Sequence, residues 1–423
     1  MTPVRRAAIA LAFGALALAG ASVTLGQGEG AQPPPDELAR GHYLAILGDC
    51  AGCHTRPGGA EMAGGLPLST SFGVIYSANI TSDRSAGIGG WTEPQFYQAM
   101  HTGKDDQGAH LYPAFPYPYF TRMPRTDVDA LWAYLRTVPA SSQKPPPNKL
   151  GFPYNIRALI AVWNWLYLKP GDFQPSADRD AAWNRGAYIV TGPGHCGACH
   201  SPKGLLGGDD YKRALQGGLI DNWYAPDLTS SPHGGLADWT RADIAEFLKT
   251  GRNQRAGAAA SMAPVVQHST SQMNDADLGD VAEYLKSLPA ARQASAERID
   301  PGVMAAGAAI YRDQCSACHQ ADGSGVSREF PTLAGSALLQ SQDPTTVDRY
   351  ILTGTQVATT AARPTNFAMP AFAWKLSDGQ IADVATYVRN SWGNVAPTVS
   401  AGQVAKLRRA VASQSTRPPP SPA

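Results

Sequence analysis

Three times in this chain two cysteines, separated by two residues, are followed at once by a histidine: Cys50 and Cys53 before His54, Cys196 and Cys199 before His200, Cys315 and Cys318 before His319. These words use all six cysteines of the protein, so no pair is left for a structural disulfide. The fold has to be organised around the words themselves.

Two thiols on about one helical turn, with an imidazole directly after the second, match the needs of a covalently attached c-type haem. The thiols meet the two vinyl groups and the histidine lies under the iron. A tetrahedral zinc site would need a further ligand pair per word, and no second cysteine pair exists for any of them. A thioredoxin-like redox motif does not demand a histidine three times over. The words therefore predict three covalently bound haem c groups, with His54, His200 and His319 as proximal iron ligands.

An internal repeat surrounds each word. Upstream stand "ARGHYLAILGDC", "NRGAYIVTGPGHC" and "AAGAAIYRDQC", with Gly41, Gly186 and Gly307 eight to ten residues before the first cysteine. Downstream stand "TDVDALWAYLRTVP", "NDADLGDVAEYLKSLP" and "SDGQIADVATYVRNSW", each with a Thr, Asn or Ser suited to helix capping and an aromatic at Tyr134, Tyr284 or Tyr387. A glycine in the first helix and an aromatic in the last let the two cross closely, and the haem fills the remaining core. The expected fold is mainly α: three tandem class I cytochrome c domains, each wrapped around one covalent haem c. At 423 residues the chain has room for roughly two to four domains. Composition breaks place them at 36–145, 176–292 and 300–395, with an interdomain strap at 146–175 and a tail at 396–423.

The strap, "FPYNIRALIAVWNWLYLKPGDF", is apolar and aromatic; it reads either as packing at a domain interface or as a docking or membrane surface. The tail places Val404, Leu407 and Val411 at helical spacing, so it reads as an amphipathic helix on a membrane or as a frayed end that closes in disordered prolines. At the N-terminus, Arg5 and Arg6 precede an apolar run and a small-residue cleavage candidate, Ala19-Gly20-Ala21. Residues 1–21 read as an export signal. The rival is an uncleaved anchor, since the run from Ala7 to Leu25 is long enough to cross a hydrocarbon core of about 30 Å. The expected location is the periplasm, on the outer face of a bacterial inner membrane. A formal net charge of +1 gives no reason to expect nucleic acid as partner.

Each haem needs a sixth ligand to act purely as an electron carrier, because an open face admits chemistry. Met369, in "NFAMPAF", lies eighteen residues before Tyr387, far enough to reach a distal face. In the second unit Met262 lies similarly far back in its loop, whereas the alternative, Met273, abuts the last helix as Leu376 does in the third unit. In the first unit Met123 occupies that same abutting position; its rivals are His110 or a face left open behind Phe115. His42, His101, His195, His233 and His268 read as surface or supporting residues, and Met62, Met100 and Met304 as packing.

With these residues placed, longer strings bear on the family: "GVIYSANITSDRSAGIGGWTEPQFYQAM", "LYPAFPYPYF", "YNIRALIAVWNW", "WNRGAYIVTGPGHCGACHSPKGLLGG", "YAPDLTSSPHGGLADWT" and "MAPVVQHSTSQM". Over about residues 40–395 the chain resembles the triple-haem cytochrome c subunits of bacterial membrane-associated dehydrogenases. These accompany alcohol, gluconate, fructose or sorbitol dehydrogenases and molybdenum hydroxylases. The resemblance implies one haem per cytochrome c domain, a separate dehydrogenase catalytic subunit, electron delivery to ubiquinone or an oxidase, and peripheral membrane association. One departure, Ala114-Phe115-Pro116 where alcohol-dehydrogenase-type members have Ala-Met-Pro, leans the partner toward the molybdenum-hydroxylase or aldehyde-oxidising branch. No G-x-G-x-x-G after a predicted strand, P-loop or H-E-x-x-H is present, so catalysis is expected in the partner. Two other readings compete: a stand-alone haem enzyme with an open first haem, and a free periplasmic electron shuttle.

Overall fold

The computed structural model describes residues 33–291 and 298–415. The export-signal reading of 1–21, the closing prolines of the tail and part of the break before the third unit lie outside the described residues.

A long helix, a short C-x-x-C-H helix, a middle helix and a closing helix recur in that order three times. The first unit has α1 (Pro35–Leu47), α2 (Cys50–His54), a hairpin of β1 (Pro67–Thr70) and β2 (Gly73–Tyr76), then α3 (Glu93–Thr102), α4 (Tyr117–Phe120) and α5 (Arg125–Leu135). After β3 (Lys149–Leu150) and the strap helix α6 (Ile160–Tyr167), the second unit runs α7 (Ala181–Thr191), α8 (Gly197–His200), β4 (Gln216–Ile220), β5 (Trp223–Asp227), α9 (Arg241–Thr250), α10 (Met262–His268) and α11 (Asp275–Ser287). The third has α12 (Pro301–Gln314), α13 (Ser316–His319), α14 (Thr345–Thr353), β6 (Thr355–Gln356), β7 (Ala368–Met369) and α15 (Asp378–Arg389), and α16 (Ala401–Ser415) follows. The fold is thus mainly α with small antiparallel sheets: β1-β2-β3, β4-β5 and β6-β7. The tight link from β4 to β5 is made by Asp221 and Asn222, both left-handed, as a two-residue hairpin turn requires.

First and last helices of each unit cross at the glycine of the repeat. A Cβ on Gly41 would stand 1.9 Å from the Ala130 carbonyl oxygen and 2.8 Å from Tyr134 Cβ. At Gly186 the same distances are 1.9 Å to Asp280 O and 2.9 Å to Tyr284 Cβ, and at Gly307 2.4 Å to Asp383 O and 2.5 Å to Tyr387 Cβ. Backbone meets backbone in all three, and only glycine fits.

Capping agrees with the sequence in two units and differs in one. Asn274 accepts the Asp277 N–H at 2.8 Å. Ser377 and Gln380 form a capping box. Thr126, in contrast, lies inside α5: Pro124, with φ near the helical value, carries the chain into the helix earlier and no side chain caps it.

The first two units share one continuous apolar core, while the third has its own. The seam between units one and two is reciprocal. Tyr43 on α1 donates to Asp277 on α11 at 2.7 Å, where Arg185 also donates twice at 2.7 and 2.8 Å. Tyr188 on α7 donates to Asp127 on α5, which Arg40 pairs. The third unit is tied to the second differently: Thr346 accepts from Tyr224 N and donates to Tyr224 O, Arg349 covers the Trp223 ring at 3.9 Å, and the Ala358 N–H donates to Ala258 O at 2.7 Å.

The two segments with alternative readings resolve unequally. Helix α16 lies on the third unit: Val404, Leu407 and Val411 are buried in its core, and Arg408 donates to Asp378, Ala373 O and Leu376 O. Its apolar stripe covers protein, so neither the membrane helix nor the frayed end describes 401–411. The strap's inner face bridges the units, Asn164 accepting from Tyr117 at 2.5 Å and Trp163 donating to Leu206 O at 3.0 Å. Its outer face is exposed.

Candidate functional site

Each C-x-x-C-H word forms a short helix at the end of the first long helix of its unit, as α2, α8 and α13. In the first two, a residue with positive φ, Asp49 or His195, turns the chain sharply into the word. This sets both thiols on about one turn and swings the histidine inward. Burial pushes the thiols of Cys50, Cys53 and Cys196 up to about 12 and that of Cys315 to about 11.

The three imidazoles share one arrangement. His54 Nδ1 lies 2.6 Å from Ala78 O, His200 Nδ1 2.7 Å from Pro226 O, and His319 Nδ1 3.1 Å from Pro331 O. A carbonyl can only accept, so Nδ1 carries the proton and Nε2 keeps its lone pair for a metal. Burial lowers the pKa of all three rings, which favours the neutral, ligating form. Among the described residues no group of three or more His, Cys, Asp and Glu side chains is arranged to hold a bare ion. A lone oriented imidazole beside two thiols instead suits a group that brings its own equatorial nitrogens, so the residues fit haem c.

The orienting carbonyls of Ala78, Pro226 and Pro331 are functional groups that the sequence reading does not identify. A signal for them is nevertheless present: "ANIT" and "PDLT" repeat between units one and two, and "PTL" stands in the third. Side chains brace the first two loops. Asn79 Oδ1 accepts from Thr81 N and Oγ1, and Asp227 Oδ1 accepts from Thr229 N at 2.6 Å.

The distal candidates separate by burial. Met123 and Met273 are 1% and 3% exposed within the shared core, and Leu376 is buried at the corresponding place in the third unit. That position is one of apolar packing before the last helix. Met262 opens α10 and Met369 sits on β7 opposite Thr355; both are half-buried, Met262 against Ala258, Val266 and Ala358. His110 is turned to the strap, its Nδ1 3.4 Å from Asn164 Nδ2, and Phe115 packs on Tyr117 and Phe120. His101, expected at the surface or in a supporting role, is buried: its Nε2–H donates to Met123 O at 2.9 Å and its ring stacks on Tyr97.

The first two words approach one another across the seam. His195 Nε2 lies 3.3 Å from Gly48 O, and its ring meets Phe120 edge-on at 5.7 Å.

Comparison with known proteins agrees with this geometry. The cytochrome c family profile matches residues 184–289 and 304–392. The chain is 40% identical over 405 residues to the "Alcohol dehydrogenase (quinone), cytochrome c subunit" of Gluconacetobacter polyoxogenes, covering 89% of this chain and 86% of that one. It is 39% identical over 396 residues to the "Gluconate 2-dehydrogenase cytochrome c subunit" of Pantoea cypripedii, covering 88% and 89%. It is also 40% identical over 365 residues to a nicotinate dehydrogenase chain of Pseudomonas putida, covering 84% of this chain and 30% of that one.

Proposed function

The chain belongs to the family of cytochrome c subunits of dehydrogenase complexes, and from that premise we propose that it carries three haem c groups in three tandem class I domains. Electrons come from a separate catalytic chain and leave to ubiquinone or a terminal oxidase, at the outer face of a bacterial inner membrane. In such complexes catalysis resides in other subunits. The observation that carries the reading is the threefold recurrence of a half-buried imidazole, held by a backbone carbonyl, directly after two closely spaced thiols.

When bound, haem c supplies a reversible one-electron couple whose potential the protein tunes. The chain's own residues hold and shield it. Cys50 and Cys53, Cys196 and Cys199, and Cys315 and Cys318 anchor it, while His54, His200 and His319 present Nε2. Fixing Nδ1–H on a carbonyl raises the basicity of Nε2 and removes ring rotation. Met369 and Met262 are the thioethers proposed for the third and second distal faces, in preference to Met273.

For the first unit two readings compete, because Met123 shares the packing position of Met273 and Leu376. Either Met123 turns its sulfur to the distal face, or that face stands open behind Phe115, as the stand-alone enzyme reading requires. Carbon monoxide added to the reduced protein separates them: negligible binding supports the capped first site, and one equivalent supports the open one.

The relatives are named for alcohol, gluconate and nicotinate dehydrogenases at nearly equal identity, so the partner's substrate stays a class: alcohol, aldehyde, sugar acid or a molybdenum-hydroxylase substrate. The decisive test is gentle detergent purification from native membranes with mass-spectrometric identification of stoichiometric companions. A quinoprotein, flavoprotein or molybdenum subunit is expected. Release of a lone monomer by osmotic shock would instead make the chain a free shuttle.

A further inference from the structure

The outer face of the strap carries side chains that a soluble surface does not ordinarily display. Phe152 is 82% exposed and Trp165 81%, and Leu159, Val162 and Leu166 are all exposed between or beside them. Leu159, Val162 and Leu166 recur at spacings of three and four, so they share one side of the strap's helical stretch. Asn164, on the other side, and Trp163, at the edge of the stripe, hold that stretch to Tyr117 and Leu206 O.

The Trp163 bond also brings in the tip of the loop after α8, where Leu205 is fully exposed. A second link joins this loop to the start of the strap: Gly207 abuts Phe72, whose ring meets Tyr154 at 4.5 Å and whose carbonyl oxygen accepts the Gly151 N–H. Two loops and a helix therefore present one continuous apolar face. Soluble monomers rarely expose patches beyond a few hundred Å², and larger ones mark contact with protein or lipid.

Charge selects between those two. Exposed Lys149 and Lys169 bracket the segment, their ammonium groups standing over aromatic rings, Tyr76 at 6.0 Å and Tyr211 at 4.5 Å. Lys212, also exposed, stands beside Asp210. Three nearby carboxylates are engaged by the chain's own cations, Asp105 by Arg157, Asp209 by Lys203 and Asp210 by Arg213, while Asp172, three residues after Lys169, meets only the His101 ring at 3.9 Å. Protruding Trp, Phe and Leu with lysines at the margin and most nearby acids already paired match the apolar-to-anionic gradient of a bilayer surface, where aromatic rings sit at headgroup level and lysines meet the lipid charge. Among the described residues no helix is long and apolar enough to cross a membrane, so contact by this face would lie in the interface plane.

We propose that the outer face of the strap, together with the Leu205 loop tip, docks into the interfacial layer of an anionic lipid bilayer. The proposal rests on the membrane association in the proposed function and names the surface that makes the contact.

The test uses the haem-loaded full chain, floated with vesicles of equal parts phosphatidylglycerol and phosphatidylcholine and with phosphatidylcholine alone. The wild type should float with the anionic vesicles, more weakly with the neutral ones, and hydrogen exchange over 152–168 should slow when vesicles are present. Phe152→Ser combined with Trp165→Ser should lower partitioning at least about tenfold. Trp374→Ser, at a tryptophan 82% exposed on the third unit, should leave it unchanged. Both variants should keep the wild-type haem content, since the altered side chains are exposed. If the double variant floats like the wild type, membrane association stands and this face is excluded from it. If the wild type floats with neither vesicle, the membrane reading itself fails. If the double variant floats normally but loses its catalytic partner on purification, the face is a protein docking surface and the proposal is overturned.

Discussion

The distal methionines make the sharpest comparison between neighbouring residues. Met369→Ala should lower the reduction potential of one haem while the covalent haem count stays at three; a potentiometric titration identical to wild type would remove Met369 as ligand. Met262→Leu should behave likewise for a second haem. Met273→Leu should leave every potential in place, because a volume-conserving swap in a packed core costs less than about 1.5 kcal/mol and touches no donor. A buried acid offers a test of a different kind. Burial pushes Asp348 up to about 7 although Arg389 opposes the shift. From its ordinary value of 3.8 to about 7, the folded chain holds a proton that the unfolded chain has released, so this group makes stability fall as pH rises through that window and level off above it. Melting temperatures from pH 4 to 8 should decline less steeply in Asp348→Asn than in wild type, the divergence growing toward neutral pH.

Helices pair in each unit through a glycine contact, and two glycines give opposite expectations. Gly186→Ala would place a methyl 1.9 Å from the Asp280 carbonyl oxygen. That oxygen cannot rotate away, so α7 and α11 must separate, and a loss of roughly 2 kcal/mol is expected in chemical denaturation. Gly279→Ala, in the middle of α11, meets nothing within 4 Å. It should stabilise by about 0.5–1 kcal/mol through helix propensity alone. The long helices and their crossing points are legible in the sequence because glycine, aromatic and apolar spacing are local records of a packing requirement. The start of α5 is not: the choice between Pro124 and Thr126 as entry point depends on where Asp127 must go, and its partners Arg40 and Tyr188 lie far away in sequence. Helix α16 shows its stripe in the sequence but not its partner, since an apolar stripe records that something covers it and leaves open whether that is lipid or protein.

At the scale of the whole molecule the shared core of the first two units predicts joint unfolding. Calorimetry of the holo-protein should show units one and two melting together, with the third, which has its own core, as a separable component. Combining Tyr43→Phe with Tyr188→Phe should lower only the first component, by about 1–3 kcal/mol, since each change leaves a buried carboxylate one donor short. By itself the sequence determined the repeat, the three thiol-thiol-imidazole words and the family likeness, because covalent attachment to a porphyrin demands fixed residue types at fixed local spacing. Tertiary structure alone decided which carbonyl turns each imidazole, which methionines are packed away, that two units share a core while the third keeps its own and is joined by polar contacts and a small apolar cluster, and which apolar stripe faces outward. Each of those depends on contacts between residues tens to hundreds of positions apart, where spacing along the chain carries no distance information.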